Sequence, residues 1–183
     1  MTDNLTMPEF LEDDVIELHA RRIHDFDEDL WLETDKNREF LREYLTWVDN
    51  TNSVEDCHSA TEMFIDEWNN ARNYAYCIVL KSSKKAIGSI DIHSINHSNM
   101  NGDIGYWLAK EYNGQGLMSR AVKLIENQAF ANGFHRLTIT VEKENIPSTN
   151  VAKRNNYVFE GTHKDKLYKY GKFYDCLTFA KVR

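Results

Sequence analysis

The fold of this chain is decided by residues 104–119, which read IGYWLAKEYNGQGLMS. Apolar side chains alternate over residues 104–108, and this is the period of a half-buried strand. Apolar residues then recur at helical spacing over residues 118–129, and Gly133 is placed to end that helix. The stretch therefore predicts a strand, a turn that contains two glycines, and the start of a helix.

The glycine turn is predicted to bind an anion. Gly114 and Gly116 allow a tight turn and a close approach of backbone N–H groups to a ligand, and the free N–H groups and dipole of the helix favour phosphate. A nucleoside-triphosphate loop needs Lys and then Ser or Thr after its last glycine, whereas Leu117 and Met118 follow here. A dinucleotide loop needs a third glycine where Ser119 stands, so that match is weak.

Gly105 gives a second indication of the ligand. A glycine inside a strand often marks a β-bulge or a close approach of backbone by a ligand. We therefore expect a bulge at Gly105 that leaves backbone groups free to pair with an extended ligand. Phosphate at one end and an amide-bearing arm at the other describe coenzyme A.

Composition restricts the class of protein. With 183 residues, 42% hydrophobic and 28% charged, the chain fits one ordinary globular domain. It contains no apolar run long enough to cross a bilayer and no secretory signal, and its three scattered cysteines fit a reducing cytoplasm. A net charge of −7 disfavours nucleic acid as a partner and is compatible with a cationic substrate. We expect a cytoplasmic protein without a membrane or nucleic-acid partner.

Periodicity predicts one mixed α/β domain over residues 15–183, preceded by a flexible, acidic tail over residues 1–14. The predicted elements, in order, are a strand at 15–19, helices at 25–33 and 37–48 and after Ser53, strands at 74–80, 87–95 and 104–108, the helix after the glycine turn, a strand at 137–141, a helix at 149–155, and two strands within 158–182.

Three segments together resemble one family. Residues 104–119 look like motif A of the GNAT superfamily of acetyl-CoA-dependent N-acetyltransferases, and residues 144–161 resemble its motif B. Residues 35–49 are similar to the RimJ/RimL-like branch, particularly to ribosomal-protein-serine-acetyltransferase-type sequences. The resemblance implies the GNAT fold, a mostly antiparallel twisted sheet of about seven strands that splays at its middle and carries helices on both faces. It also implies acetyl-CoA as co-substrate. Because the sequence has no HExxH motif and no Cys/His cluster, we expect no metal.

The resemblance assigns the cofactor-binding residues. The coenzyme arm is expected to pair with the strand, its pyrophosphate to meet the turn, and its thioester end to meet the motif B segment. The expected residues are Tyr106, Trp107, Leu108, Asn113, Gly114, Gln115, Gly116, Leu117, Met118, Ser119, Asn145, Ser148 and Asn150.

The resemblance also implies the chemistry. A neutral amine attacks the thioester directly, and Ser148 is the expected partner of the leaving sulfur, because Ala152 stands where many relatives carry a catalytic Tyr. In the alternative interpretation Ser148 only caps the following helix. Glu111 is a candidate general base or a solvated carboxylate, and Asp91 and His93 are weaker candidates for the base.

Three hypotheses remain open for the acceptor. The first is a protein N-terminus, in particular that of a ribosomal protein, and the second is a small amine such as a polyamine, amino sugar or amino acid. The third is a sensor domain that binds acyl-CoA without turnover. Tyr44 and Trp47 either line an acceptor groove or only pack. Since related proteins often dimerise, the resemblance leaves room for a homodimer.

Overall fold

The structure is a computed structural model that describes residues 5–183. Its strands are β1 (Phe10–Glu12), β2 (Ile16–Ala20), β3 (Tyr74–Leu80), β4 (Lys85–Asn96), β5 (Asn101–Leu108), β6 (Arg136–Glu142), β7 (Val158–Lys169) and β8 (Lys172–Val182). Its α-helices are α1 (Asp27–Lys36), α2 (Arg38–Arg42), α3 (Val54–Asn69), α4 (Leu117–Ala131) and α5 (Ile146–Arg154), and short 3₁₀ turns cover Thr46–Asn50 and Lys110–Tyr112.

The strands form one eight-stranded sheet in the order β1-β2-β3-β4-β5-β6-β8-β7. Every neighbouring pair is antiparallel except β5 and β6, which are parallel and joined through α4. The predicted mixed α/β class and mostly antiparallel sheet are therefore confirmed. The eighth strand is β1, which lies in the stretch that was expected to be a flexible tail.

The sheet splays between β5 and β6. These strands pair only over Asn101–Asp103 and Arg136–Thr138. Beyond that point β5 runs on to Leu108 and β6 to Glu142 without pairing to each other. The predicted opening at the middle of the sheet is present, and it leaves a wedge between two inner strands.

The expected bulge at Gly105 is wrong. Gly105 pairs with Asp91 in an unbroken register that runs from Leu108 opposite Gly88 to Asp103 opposite His93. A Cβ at position 105 would lie 2.8 Å from Asp91 Oδ1 and 3.1 Å from His93 Cε1. Glycine is needed here for this close approach of two side chains, and the free strand edge comes from the splay instead.

The core has helices on both faces of the sheet, as predicted. On one face α4 buries Ala121, Val122 and Ile125 completely, in a cluster that includes Tyr76 and Ile78 of β3. On the other face, Cys77 and Val79 of β3 form a second cluster with Leu30 of α1. This arrangement follows from the alternation of side chains along a strand.

Residues 5–14 depart from the expected flexible tail. Leu5 and Met7 are buried, and Phe10–Glu12 pairs with β2. The Tyr74 hydroxyl donates a hydrogen bond to the Leu5 carbonyl at 2.5 Å. Burial of these two apolar side chains and the pairing with β2 therefore hold this segment on the core. Residues 1–4 of the expected tail lie outside the described residues.

The helix predicted over residues 37–48 is interrupted. Helix α2 ends at Arg42, and Leu45 is extended before the chain enters a 3₁₀ turn. This break places Tyr44 and Leu45 beside the splayed strands. Within residues 5–183, no helix combines the length and the apolar character that a membrane crossing requires.

Candidate active site

The glycine turn leads into α4 with free backbone donors. Gly116 has φ 77° and stands at the N-cap without any side-chain cap. The first hydrogen bond of the helix runs from the N–H of Arg120 to the Gly116 carbonyl, at 3.1 Å. The N–H groups of residues 117–119 come before it and have no acceptor within the helix. The first turn of α4 contains no acidic residue. These N–H groups and the helix dipole favour negative charge at the turn.

A cavity of about 390 Å³ lies against this turn, and we call it the turn cavity. Of the predicted cofactor-binding residues it is lined by Tyr106, Trp107, Leu108, Asn113, Gly114, Gly116, Leu117, Met118, Ser119, Asn145, Ser148 and Asn150. Gln115 is the exception, because its side-chain amide turns back and donates to the Glu111 carbonyl at 2.8 Å. The structure thus brings together residues from β5, the turn and α5.

The turn cavity fits a phosphate-bearing ligand. The Ser119 hydroxyl oxygen is buried beside it and finds no hydrogen-bond partner among residues 5–183. A buried hydroxyl without a partner is costly, and a ligand oxygen would satisfy it. A Cβ built at Gly114 or Gly116 would meet no atom within 4 Å, so there is open space beside the backbone.

Ser148 makes a contact that argues against the capping interpretation. The N-cap of α5 is Asn145, whose side-chain oxygen accepts the Ser148 N–H at 3.1 Å. The Ser148 Oγ instead lies 2.9 Å from the hydroxyl of Tyr106. The Ser148 side chain is therefore free to act at the cavity, with a second hydroxyl behind it.

Sequence reasoning assigned only the backbone of Tyr106 and missed its side chain. Burial raises the pKa of Tyr106 to about 12, against the smaller opposing effect of its bond with Ser148. The phenol is therefore protonated at neutral pH and can donate. The sequence did contain a signal for this contact: Tyr106 stands at an inward position of a strand, and a buried Tyr hydroxyl usually has a hydrogen-bond partner.

A second cavity, of about 310 Å³, fills the wedge between β5 and β6, and we call it the splay cavity. It is lined by Gly105 on the β5 side and by Thr140 and Glu142 on the β6 side. The residues that it shares with the turn cavity are Tyr44, Leu45, Tyr106, Asn145 and Ser148. Two ligands that enter these cavities would meet beside the Ser148 and Tyr106 hydroxyls.

The candidate bases occupy different places. The Glu111 carboxylate pairs with the Lys36 ammonium, which lowers the pKa of Glu111, and Glu111 lines neither cavity. His93 Nδ1 lies 2.7 Å from Asp91 Oδ1, and this hydrogen bond raises the pKa of His93. Gly105 lines the splay cavity and donates its N–H to the same Asp91 oxygen at 3.2 Å. The Asp91–His93 pair therefore lies directly behind the wall of that cavity.

The family of the chain follows from a match to residues 17–158, which fit the model described as an acetyltransferase (GNAT) domain. The chain belongs to the GNAT acetyltransferase family. It is an acetyl-CoA-dependent N-acetyltransferase, and the turn cavity suits that co-substrate.

Relatives of this GNAT acetyltransferase include ribosomal-protein modifiers. It is 28% identical over 148 residues to the ribosomal-protein-serine acetyltransferase of Escherichia coli (strain K12), covering 80% of this chain and 82% of that protein. It is 27% identical over 153 residues to a putative ribosomal N-acetyltransferase of Bacillus subtilis (strain 168), covering 81% of each chain.

Solved structures superpose on this GNAT acetyltransferase over nearly its whole length. The self-immunity acetyltransferase MccE for microcin C7, solved with acetyl-CoA and AMP, has a TM-score of 0.89 and 26% identity, covering 98% of this chain and 99% of that one. The RimL acetyltransferase of ribosomal L7/L12, solved with coenzyme A, also has a TM-score of 0.89 at 24% identity, covering 95% and 98%. The latter likeness shows the GNAT fold.

Aromatic side chains border the cavities of this GNAT acetyltransferase. Tyr44 lines both cavities. Trp47 is partly exposed and packs on Trp107, with ring centroids 5.6 Å apart, and Trp107 lines the turn cavity. Tyr44 thus lines the cavities themselves, whereas Trp47 lines neither and contacts Trp107.

The cysteines of this GNAT acetyltransferase are buried. Burial raises the pKa of Cys57 to about 11 and that of Cys77 to about 12. Cys176 lines the splay cavity, and burial raises its pKa as well. Across residues 5–183 there is no group of three or more His, Cys, Asp or Glu side chains that could hold a metal ion.

Proposed function

We propose that this enzyme transfers an acetyl group directly from acetyl-CoA to a primary amine, with the α-amine of a protein N-terminus as the favoured acceptor. The observation that carries the proposal is the meeting of the two cavities. The turn cavity has free N–H groups for a phosphate, and the splay cavity opens onto the same Ser148 and Tyr106 hydroxyls. One cavity suits each substrate.

The turn holds the co-substrate through its backbone. The N–H groups of residues 117–119 and the Ser119 hydroxyl would bind the pyrophosphate, while the open edge of β5 pairs with the amide-bearing arm. Acetyl-CoA supplies the acetyl group in activated form, as a thioester. The backbone N–H near Leu108 is the proposed donor to the carbonyl oxygen that gains charge during attack.

Protons move at two places in this proposal. On the acceptor side, neutral His93 takes a proton from the amine through a water molecule, and Asp91 keeps its ring oriented. On the other side, Ser148 donates a hydrogen bond to the leaving sulfur and Tyr106 donates one to Ser148 across their 2.9 Å contact, while the thiolate takes, through water, the proton that the nitrogen loses once it has attacked. Glu111 is disfavoured as the base, because its ion pair with Lys36 lowers the pKa of its carboxyl group and makes it a weaker base.

Direct transfer is favoured over a covalent acetyl-enzyme. Cys176 is the one free thiol among the described residues that lines the splay cavity. A thiol must lose its proton to become a nucleophile, and the raised pKa of Cys176 opposes that loss. The amine itself is therefore the proposed nucleophile.

The acceptor proposal rests on relatives and on amine chemistry. The E. coli relative is named for a ribosomal-protein serine, and a protein N-terminal amine has a pKa near 8, well below about 10.4 for lysine. An α-amine is thus more easily supplied in neutral form. With an acceptor of this kind, the cytoplasm is the proposed location of the enzyme. The alternative is a small amine, and the AMP bound to MccE favours one that carries a nucleotide.

The test measures thiol release from acetyl-CoA with matched acceptors. Peptides with a free α-amine and one internal lysine are compared with the same peptides blocked at the N-terminus, with polyamines, and with aminoacyl nucleotide analogues. We expect release with free N-termini only, and mass spectrometry should locate the acetyl group on the α-nitrogen. Release with a small amine alone would move the assignment to that class, and no release with any amine would contradict the proposal.

A further inference from the structure

A buried ion pair stands at the edge of the splay cavity. The Lys169 ammonium lies 2.6 Å from Glu142 Oε2, and the two side chains are 2% and 7% exposed. Lys and Glu are almost never buried to this degree without a partner. The pair joins the last residue of β6 to the last residue of β7.

Lys169 is fixed by more than its carboxylate partner. Its ammonium donates to the backbone carbonyl of Glu43, directly after α2. It also lies 5.2 Å from the ring centre of Tyr44 and 4.6 Å from that of Tyr174. Cations over aromatic faces and at helix C-termini are favourable. Lys169 therefore connects the hairpin of β7 and β8 to the segment that borders both cavities.

Stability alone gives little reason for this pair. Replacing a buried ion pair by apolar residues of similar volume is often neutral or stabilising, because both charges must leave water. Its position offers another reason, since Glu142 lines the splay cavity together with Tyr106 and Ser148. A buried carboxylate thus faces the place where the proposed acceptor enters.

Charges of both signs surround Tyr44 at this wall, because the Glu43 carboxylate accepts a hydrogen bond from its hydroxyl and the Lys169 ammonium lies over its ring. Burial raises the pKa of Tyr44 to about 12, helped by its hydrogen bond to Glu43 and by the charges of Glu142 and Glu144. Lys166 also lines the splay cavity, but it is exposed. Of the buried pair, Glu142 lines the splay cavity and Lys169 does not, so a cation in this cavity would meet the carboxylate first.

We propose that Glu142 binds the protonated amine of the acceptor in the splay cavity and that Lys169 is the positioning residue that holds Glu142 and the α2 segment in place. This inference rests on the proposed function, because it assigns the acceptor to that cavity. A primary ammonium has three N–H donors, so it can bond Glu142 and still reach the Ser148 end of the cavity. The bound cation then passes its proton to the base before attack.

The experiment separates binding of the acceptor from folding. Glu142→Gln removes the charge, and the double variant Glu142→Gln with Lys169→Met removes both charges together, which avoids an unpaired buried lysine. Glu160→Gln is the control, because it removes a carboxylate from a surface ion pair with Arg136 that lies outside both cavities. Each variant is assayed for melting temperature, acetyl-CoA Kd by calorimetry, and the KM of the acceptor peptide that gives the most thiol with wild type.

We expect the acceptor KM to rise about tenfold or more in both Glu142 variants, since a charge-assisted hydrogen bond is lost. Acetyl-CoA Kd should change less than about twofold, and Glu160→Gln should behave as wild type. A folded double variant with wild-type acceptor KM would overturn the inference and leave the pair a structural one. A wild type that releases no thiol would instead contradict the proposed function.

A binding measurement that requires no turnover covers the case in which these variants fold poorly. An N,N-dimethylated acceptor peptide retains a cation but cannot form the product amide. With coenzyme A present, it should bind wild type more tightly than the N-acetylated peptide by about tenfold, and Glu142→Asp, which keeps the charge on a shorter side chain, should retain part of that preference. Equal binding of both peptides to wild type would overturn the inference.

Discussion

The two cavities are built from different materials. The turn cavity offers backbone: free N–H groups at the start of α4, two glycines with positive φ, and a strand edge. The splay cavity offers side chains instead, with Tyr44 and Glu142 on its wall and the Asp91–His93 pair behind it. The properties of the turn cavity therefore depend on the conformation of the backbone, and those of the splay cavity on the identity of the side chains that line it.

This difference explains how relatives can share a co-substrate and differ in acceptor. Backbone donors tolerate most changes of side chain, so under the proposed function the turn would bind the same pyrophosphate as MccE, which is 26% identical and was solved with acetyl-CoA. A wall made of side chains changes with each substitution. We therefore expect changes on the splay side to alter acceptor kinetics, and changes at the turn to alter binding of acetyl-CoA.

The largest expected effect is on the side-chain wall. His93→Gln removes the proposed base and should lower kcat between about 10²-fold and 10⁴-fold, while acetyl-CoA Kd stays within about twofold. Steady-state kinetics and calorimetry on the same preparation check both values. If the His93→Gln variant kept the wild-type kcat, the Asp91–His93 pair would have no part in the mechanism.

The pH profile sharpens the same point. The carboxylate of Asp91 raises the pKa of His93 above its ordinary value, and only neutral His93 can accept a proton, so kcat/KM should rise with pH through that raised pKa. Asp91→Asn removes the carboxylate that raises the pKa of His93, so the rise of kcat/KM should occur at lower pH. Stability has the opposite sign: the pair stabilises the fold at acid pH and loses this effect as pH rises, so Asp91→Asn should lower Tm most below the ordinary His pKa.

The next prediction concerns the glycine turn before α4. Gly116→Val should weaken acetyl-CoA binding by about 100-fold, because a β-branched residue is strained at φ 77° and would crowd the pyrophosphate. Gly171→Val is a matched control, since Gly171 has φ 78°, equally open surroundings, and a place at the turn between β7 and β8. Calorimetry should give the control a near-normal Kd. Equal loss of affinity in both variants would point to general strain instead.

The junction of the two cavities should respond less strongly. Ser148→Ala should lower kcat by about 10-fold to 100-fold with little change in acetyl-CoA Kd, and Tyr106→Phe by a smaller factor, because it removes only the second hydroxyl. Thr149→Val serves as the control: the adjacent Thr149 hydroxyl is buried and finds no partner among residues 5–183. If Ser148→Ala turned over at the wild-type rate, its hydroxyl would have no chemical role.

The smallest effect is expected at the rim. Glu111→Gln breaks an exposed ion pair with Lys36 and should change kcat/KM by less than about threefold. The measurement is a kcat/KM comparison in low and physiological salt. A loss comparable with that of His93→Gln would return Glu111 to the role of general base.

The backbone half of the site was readable from sequence because its signals are local. Two glycines, the alternation before them and the helical spacing after them lie within one short stretch, and they predicted the strand, the turn and α4. The splay was implied only by resemblance. The pairing of β5 and β6 depends on residues more than 30 positions apart, and no local pattern shows where such pairing stops.

The side-chain half was readable only in part: the sequence indicated Tyr44, Asp91 and His93 as candidates, but it did not indicate Glu142. Glu142 and Lys169 are far apart in sequence, and each resembles a solvated charge at the end of a strand. Gly105 was interpreted as a bulge, because a strand glycine does not reveal whether a ligand, a bulge or a neighbouring side chain requires the space. The break after α2 was missed since its apolar spacing continues through the extended residue Leu45.

The short pairing of β5 and β6 also bears on solubility. Beyond Asp103, two inner strands carry edges that no neighbouring strand covers, and such edges readily recruit strands from other chains. The arm of acetyl-CoA that is proposed to pair with the edge of β5 would shield that edge, and mass action then favours the native form as the acetyl-CoA concentration rises. Cells with depleted acetyl-CoA pools should therefore accumulate this enzyme as aggregates sooner than cells with full pools.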